Sequence, residues 1–273
     1  MHNILIIFLE ITVFSSVVFS FLVFRAKVKL KYLFSDNIVL IIMSTIIGYL
    51  ILSTLPASAK NLVYIIIPGV VLVLILLLTL FRFYRNPERN VQAGSDDILS
   101  PADGFIAYVK RIENDRIPFS VKGKNISKLS ELTKVNMLKT PCWLVGITMT
   151  LFDVHYTRAP VSGNIILNQH FKGRFLSLKN GESSVENERN TTVIENDICQ
   201  IGVIQIASKR VRDVESFVQT GQIVQPGERI GRIKFGSQTD IVFPVNSVLK
   251  IRVGEWVYGG ETIVAKLSKC GKL

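Results

Sequence analysis

Three long apolar runs fill the first third of the chain, and short runs rich in Val, Ile and Phe, broken by turn residues, fill the rest. Asn3 to Phe24, Ile38 to Leu55 and Leu62 to Phe81 each approach the roughly 20 apolar residues that cross a hydrocarbon core of about 30 Å. Each predicts a transmembrane helix. Glu10 lies inside the first run and Pro68-Gly69 inside the third; a charge at that depth is expected to face a neighbouring helix rather than lipid. Beyond residue 82 about 190 residues remain, enough for one domain with its own core. Phe105 to Val109, Trp143 to Met149, Asn164 to Leu167, Ile201 to Ile206, Ile230 to Lys234 and Leu249 to Val253 read as strands. Val211 to Val218 suits either a short helix or a strand, and Lys122 to Lys134 reads as a basic, polar loop containing Ser127 and Ser130.

An internal repeat sharpens the fold. Gly221, Val224, Gly227, Glu228 and Ile230 recur at a constant offset as Gly254, Val257, Gly260, Glu261 and Ile263. Glycines at this spacing supply turns that need φ > 0, with Val and Ile between them filling a core. Pro101-Ala-Asp-Gly104 and Pro160-Val-Ser-Gly163 form a looser second pair. The pattern predicts a mainly β domain of the barrel-sandwich-hybrid kind, like biotinyl and lipoyl domains, built from two related halves. The expected division is a membrane anchor over residues 1–82 and a β domain over residues 83–273.

Charge orients the spans. Arg25, Lys27, Lys29 and Lys31 follow the first run, Lys60 alone separates the second from the third, and Arg82, Arg85 and Arg89 follow the third. The positive-inside rule then puts the N-terminus outside and residues 82–273 in the cytoplasm, as a multi-pass protein of the cell (inner) membrane. Basic residues after the first run, with no small-residue site to end it, do not suit a cleavable signal peptide. The formal net charge of +11 suits an anionic bilayer surface better than nucleic acid in a chain already tethered to membrane. Cys142, Cys199 and Cys270 show no Cys-x-x-Cys spacing, and the three histidines form no ligand pair. Neither a disulfide nor a metal site is expected.

The stretch from Gly231 to Pro244 carries the candidate chemistry, centred on Gly236-Ser237. A Ser after a Gly has its hydroxyl beside a carbonyl that no Cβ shields, in a backbone free to adopt strained φ/ψ. The same pair is also a common turn dipeptide. It does not stand alone, however. Phe83-Tyr84-Arg85-Asn86-Pro87-Glu88-Arg89 follows the last span, Ser100-Pro101-Ala102-Asp103-Gly104 opens the β region, and Phe152-Asp153-Val154-His155 leads to Arg158-Ala159-Pro160 and Gly163. His170, Gly173 and Phe175 precede Glu186-Asn187-Glu188-Arg189-Asn190, and Phe235-Gly236-Ser237 closes the set.

In this order the five segments resemble the phosphatidylserine decarboxylase family, in particular its shorter form, which also covers archaeal-type lipid decarboxylases. The resemblance runs from residue 83 to 244 and leaves out the three spans, more than the short form is expected to carry. It implies a self-processing pyruvoyl enzyme, in which Ser237 attacks the Gly236 carbonyl, the ester undergoes β-elimination, and the new N-terminus becomes a pyruvoyl group. The zymogen would split into residues 1–236 and 237–273, the two chains of the mature enzyme. Loss of CO₂ from an amino acid leaves a carbanion that needs an electron sink; pyridoxal phosphate is the usual one and a protein-bound ketone another. No pyridoxal-phosphate fold is evident here.

The same resemblance assigns the processing base to a paired Asp and His. Asp103 matches the Asp, with stabilisation of an Asx turn as its plainer role. The longer bacterial form has two histidines three apart; here the first matches His155 and the second position is Arg158, so His155 takes the base role, with His170 the alternative. Arg158, His170, Asn187, Glu188 and Arg189 are candidate substrate contacts, since a guanidinium binds phosphate bidentately. An Arg belongs on the phosphate, because a strong cation on the serine carboxylate would stabilise the ground state. Glu186 to Asn190 reads equally as a charged loop. Gln238 stands where the short form more often has Arg. The expected activity is decarboxylation of phosphatidylserine, or a close aminophospholipid, to phosphatidylethanolamine, by a homodimer on family analogy. Two rivals need other features: a membrane-tethered, non-catalytic barrel-sandwich adaptor would carry long helical hairpins, and a zinc peptidase would carry a His cluster.

Overall fold

The computed structural model describes residues 2–117, 127–136, 138–174, 176–177, 183–208, 213–234 and 238–268. The chain forms two units, residues 1–84 with 150–152, and residues 85–149 with 153–273. In the first, α1 (His2–Ala26), α2 (Leu30–Thr54) and, after a 3₁₀ turn (Ala57–Leu62), α3 (Val63–Tyr84) are long and apolar enough to cross a membrane. α2 starts at Leu30, well before the apolar run at Ile38, because its polar residues find partners. Asp36 is ion-paired with Arg82, whose Nε lies 2.9 Å away, and Asn37 Nδ2 donates to Ser16 Oγ at 3.0 Å. Polar side chains among apolar helices are tolerated when satisfied in this way.

The second unit is mainly antiparallel β. Its elements are β1 (Asp97–Leu99), β2 (Gly104–Ile112), β3 (Arg116–Ile117), β4 (Ser127–Lys128), α4 (Leu129–Thr133), β5 (Cys142–Thr148), β6 (Tyr156–Arg158), β7 (Gly163–Phe171), α5 (Ser183–Glu186), β8 (Arg189–Glu195), β9 (Gln200–Ile206), β10 (Val214–Ser216), β11 (Ile223–Val224), β12 (Arg229–Ile233), β13 (Gln238–Pro244), β14 (Val248–Leu249), β15 (Trp256–Val257) and β16 (Ile263–Lys266). A curled eight-stranded sheet runs β11-β7-β8-β9-β13-β5-β2-β15. Smaller sheets run β10-β12-β6 and β1-β16-β14, and β3 pairs with β4.

The central strands are apolar on both faces because both are covered. Ile241 and Phe243 of β13 join Val145 and Ile147 of β5 in a core shared with Ile230 and Ile233 of β12, so the β10-β12-β6 sheet covers this face. Val242 faces the other way, with Leu144, Ile204 and Ile206, under Leu129 and Leu132 of α4. That helix replaces part of the loop expected over Lys122–Lys134, of which residues 122–126 lie outside the described residues. Asp115 accepts from both the amide and the hydroxyl of Ser130, at 3.1 and 2.9 Å, and two buried leucines anchor the turn, a tertiary gain that a polar sequence does not advertise. Val214–Ser216 settles as a strand by pairing with β12.

The sequence repeat appears as the two edges of the large sheet. Val257 pairs with Gly104 and Val224 with Gly163. A Cβ at Gly104 would lie 2.4 Å from the Thr148 oxygen, and one at Gly163 the same distance from the Glu195 oxygen. Gly221, Gly227, Gly254 and Gly260 have φ of 90°, 78°, 89° and 77°, the left-handed values that the repeat predicts and that side chains other than glycine resist.

Candidate active site

Asp103 is buried at the start of β2 and held from three sides. Both its oxygens accept from Arg89 Nη2 at 2.8 Å, and Oδ1 also accepts from the Gly259 amide at 2.8 Å. Arg89 Nη1 reaches Glu261 at 3.2 Å, so the repeat hairpin around Gly259-Gly260 and the segment after the helices fix one carboxylate together. Burial pushes the Asp103 carboxyl above its ordinary pKa, Arg89 and the Gly259 amide pull it back, and the Asp153 charge adds to the rise.

His155 is 1 % exposed, with Nδ1 2.8 Å from the Asp153 carbonyl oxygen. That contact assigns the proton to Nδ1 and leaves Nε2 as the basic nitrogen. Burial lowers the imidazole pKa to about 4, against the opposing pull of Asp153. His155 is therefore neutral at physiological pH. The His155 carbonyl accepts from the Ile233 amide at 3.1 Å, which sets the histidine beside the end of β12, the strand that leads to Gly236-Ser237. Gly236 and Ser237 themselves lie outside the described residues, as does Phe175. On their far side Gln238 opens β13, paired with Thr148 of β5 and Ile206 of β9. Thr148 also pairs with Phe105, two residues past Asp103. Asp153, fully buried, acts electrostatically on both Asp103 and His155, which only a nearby charge in a water-poor site can do.

Of the other expected residues, Arg158 lies within reach of the Asp103 and Arg89 charges, whereas His170, Asn187, Glu188 and Arg189 gather where β7 pairs with β8. Arg158 is buried, with Nη1 donating to the Gly227 carbonyl at 2.8 Å and Nη2 to the Pro87 carbonyl and Asn86 Oδ1 at 3.0 and 3.3 Å. Arg189 is entirely buried; Nε and Nη2 donate to the Asn187 carbonyl at 3.0 and 2.8 Å, and Nη1 to the Leu132 carbonyl. Its pKa is lowered to about 10 by burial. Asn187 bridges Leu176 and Ala207 through three backbone bonds of 2.7–2.9 Å. His170 Nε2 lies 3.1 Å from Glu188, and its side chain is 41 % exposed. Arg189 shares a row with Ile206 and Gln238, so it stands two strands, roughly 10 Å, from the start of β13.

One polar cluster beside Gln238 has no counterpart in the sequence reading. Tyr108 donates to Asp240 Oδ2 at 2.6 Å, and Gln238 Nε2 donates to the Tyr108 oxygen at 2.8 Å and to Asp240 Oδ1 at 2.7 Å. Tyr108 reaches across β5 over Gly146, where a Cβ would lie 2.3 Å from the ring. Burial raises the Asp240 carboxyl to about 6 although Tyr108, Gln238 and Arg189 oppose the rise. A lone Asp in the run Asp240-Ile-Val-Phe243 was the available signal. Elsewhere, a cavity of about 420 Å³ lined by Cys142, Cys199, Phe243 and Pro244 lies at the opposite end of β13 and touches none of the expected site residues. Among the described residues no group of three His, Cys, Asp or Glu side chains is arranged to hold a metal ion.

A buried carboxylate at Asp103 and a buried, neutral imidazole at His155, both acted on by the Asp153 charge, are groups able to transfer protons. The family model described as Phosphatidylserine decarboxylase matches residues 76–265. The chain belongs to that family, whose members are carboxy-lyases. A putative archaetidylserine decarboxylase proenzyme of Methanocaldococcus jannaschii is 39 % identical over 191 residues, 70 % of this chain and 90 % of that protein. Phosphatidylserine decarboxylase proenzymes of Carboxydothermus hydrogenoformans and Ehrlichia chaffeensis are 34 % and 35 % identical, over 72 % and 75 % of this chain and 83 % and 82 % of theirs. Family membership favours an enzyme over the adaptor.

Proposed function

We propose that this chain cleaves itself between Gly236 and Ser237 and then converts phosphatidylserine to phosphatidylethanolamine and CO₂. The observation that carries the reading is His155, buried, neutral and hydrogen-bonded through its carbonyl to the strand entering Gly236-Ser237. In the proposed maturation Nε2 of His155 takes the Ser237 hydroxyl proton and the oxygen attacks the Gly236 carbonyl. The peptide C–N bond breaks, leaving an ester and a free amine on residue 237. Removal of the Ser237 α-proton expels the Gly236 carboxylate, and addition of water with loss of ammonia leaves a pyruvoyl group. When present, that group supplies a ketone that accepts the electrons released as CO₂ departs. The residues fit it: the neighbourhood offers a neutral imidazole, and Thr239 Oγ1, two residues on, is buried with no hydrogen-bond partner.

Asp103, with Arg89 behind it, acts as the acid partner of His155. Arg158, Asn187 and Arg189 would have to give up backbone acceptors to bind a phosphate, so we assign them to framing the site and give the headgroup to the half-exposed His170–Glu188 pair. The paired edges of the large sheet support a barrel-sandwich hybrid made of two halves. Three spans hold the enzyme in the inner membrane with the N-terminus outside and the β unit in the cytoplasm. The mature form is two chains from one precursor, assembled as a homodimer. Intact-mass measurement of detergent-purified protein tests maturation: a fragment starting at residue 237, lighter than its Ser-initiated equivalent by one ammonia and missing in Ser237→Ala, is expected. An uncleaved wild-type chain would make the β unit a binding module.

A further inference from the structure

The polar cluster of Tyr108, Gln238 and Asp240 has no part in the reaction described so far. Its placement along β13 is uneven. Gln238 and Asp240, on one face at the start of the strand, are buried and polar, whereas Val242, next on that face, is apolar and packs with Leu144, Ile204 and Ile206. Apolar packing would hold this face along its whole length, and burying a carboxylate instead is costly. What the polar groups add is direction. Tyr108 donates to Asp240 Oδ2 at 2.6 Å, and Gln238 Nε2 donates to the Tyr108 oxygen at 2.8 Å and to Asp240 Oδ1 at 2.7 Å. Side chains repeat on a face every second residue, so apolar contacts alone tolerate a slip of two residues; these three bonds do not.

The bonds join residues on two sides of the proposed cut. Tyr108 belongs to β2, within residues 1–236, and reaches across β5 over Gly146; Gln238 and Asp240 belong to residues 237–273. Arg189, also in the larger segment, acts on Asp240 by its charge. While the chain is whole, its backbone ties Gln238 to β12, which ends at Ile233. A cut between residues 236 and 237 removes that tie, and the first residues of a chain fray unless something holds them. We propose that Tyr108, Gln238 and Asp240 are positioning residues that clamp the start of β13 to β2 once the chain is cut, fixing the register of the smaller fragment against the larger. This rests on the self-cleavage reading above and adds what keeps its two products aligned.

The test is amide hydrogen exchange over residues 238–242 of the full-length protein in detergent, read by mass spectrometry in the cut chain and in the chain kept whole by Ser237→Ala. Each form is compared with and without Gln238→Ala, and again with and without Tyr108→Phe, which keeps the ring over Gly146 and loses the hydroxyl. The expected result is that both variants exchange about tenfold faster than wild type when cut, and within about twofold of it when whole. Equal acceleration in cut and whole chains is what ordinary strand packing produces, and it overturns the proposal. So does wild-type protection in the cut variants. If neither variant cuts itself while wild type does, the cluster acts ahead of cleavage and the proposal fails. A wild type that stays whole overturns the self-cleavage reading, and this proposal with it.

Discussion

At the scale of single residues, two buried groups have pKa values displaced in opposite directions through burial. His155 is held down to about 4 by burial. Its folded pKa lies below the ordinary 6.5, so its contribution to stability is present above pH 6.5 and is lost as pH falls towards 4. Asp240 is held up to about 6; its folded pKa lies above the unfolded value, so its contribution is present below pH 4 and is lost as pH rises through 6. Substituting Asp240→Asn removes only the second. The difference in unfolding free energy between variant and wild type, from denaturant titrations, should then move in the variant's favour by on the order of 2 kcal/mol between pH 4 and 7. A pH-independent difference would show that Asp240 titrates normally. His155 makes its own prediction for rate. If it is the processing base, cleavage persists to about pH 4 and His155→Gln slows it at least a hundredfold. An acid limb in the ordinary histidine range would remove His155 from that role. Asp103 and His155 were picked out because each sits in a short, distinctive segment, and the structure buries both. The cluster of Tyr108 and Asp240 was not, since their meeting depends on strand register, which no local pattern contains.

At the scale of elements, glycine was the most informative residue. The four repeat glycines predict left-handed turns, and their φ values agree, because the requirement is local and no other residue meets it without strain. The starts of α2 and α4 escaped prediction for the opposite reason. Each depends on a partner distant in sequence, Arg82 for Asp36 and Asp115 for Ser130. Gly146 belongs to the same tertiary class. It looks like an ordinary weak spot in a strand, but Tyr108 and Asp240 both pair with it, and the Tyr108 ring occupies the space its side chain would fill. Gly146→Ala should therefore destabilise the β unit by about 1–3 kcal/mol through overpacking. Combining it with Tyr108→Ala should cost less than the sum of the two single changes, because the second removes the obstacle. Chemical denaturation of the four proteins measures this; strict additivity would mean that ring and glycine do not compete for the same space.

At the scale of the whole molecule, the positive charge has a direction. Arg25, Lys27, Lys29 and Lys31 crowd the end of α1 and the start of α2, Arg82 lies in the last turn of α3 with Arg85 and Arg89 after it, and Lys60 alone marks the turn between α2 and α3. Basic residues within about 15–20 residues of a span stay on the cytoplasmic side, and seven of them agree with one another here. The topology proposed above would put the N-terminus and the β unit on opposite faces of the bilayer. This arrangement also suits the chemistry proposed for the β unit, since Cys142 and Cys199, both free and both with thiols pushed up by burial to about 12 and 11, would sit in a reducing compartment. The prediction is read with epitope tags at each end of the full-length protein in intact spheroplasts. Added protease should remove the N-terminal tag and spare the C-terminal one until detergent opens the membrane. Loss of the C-terminal tag from intact cells would put the site outside, and a lipid substrate would then have to be presented from the outer leaflet.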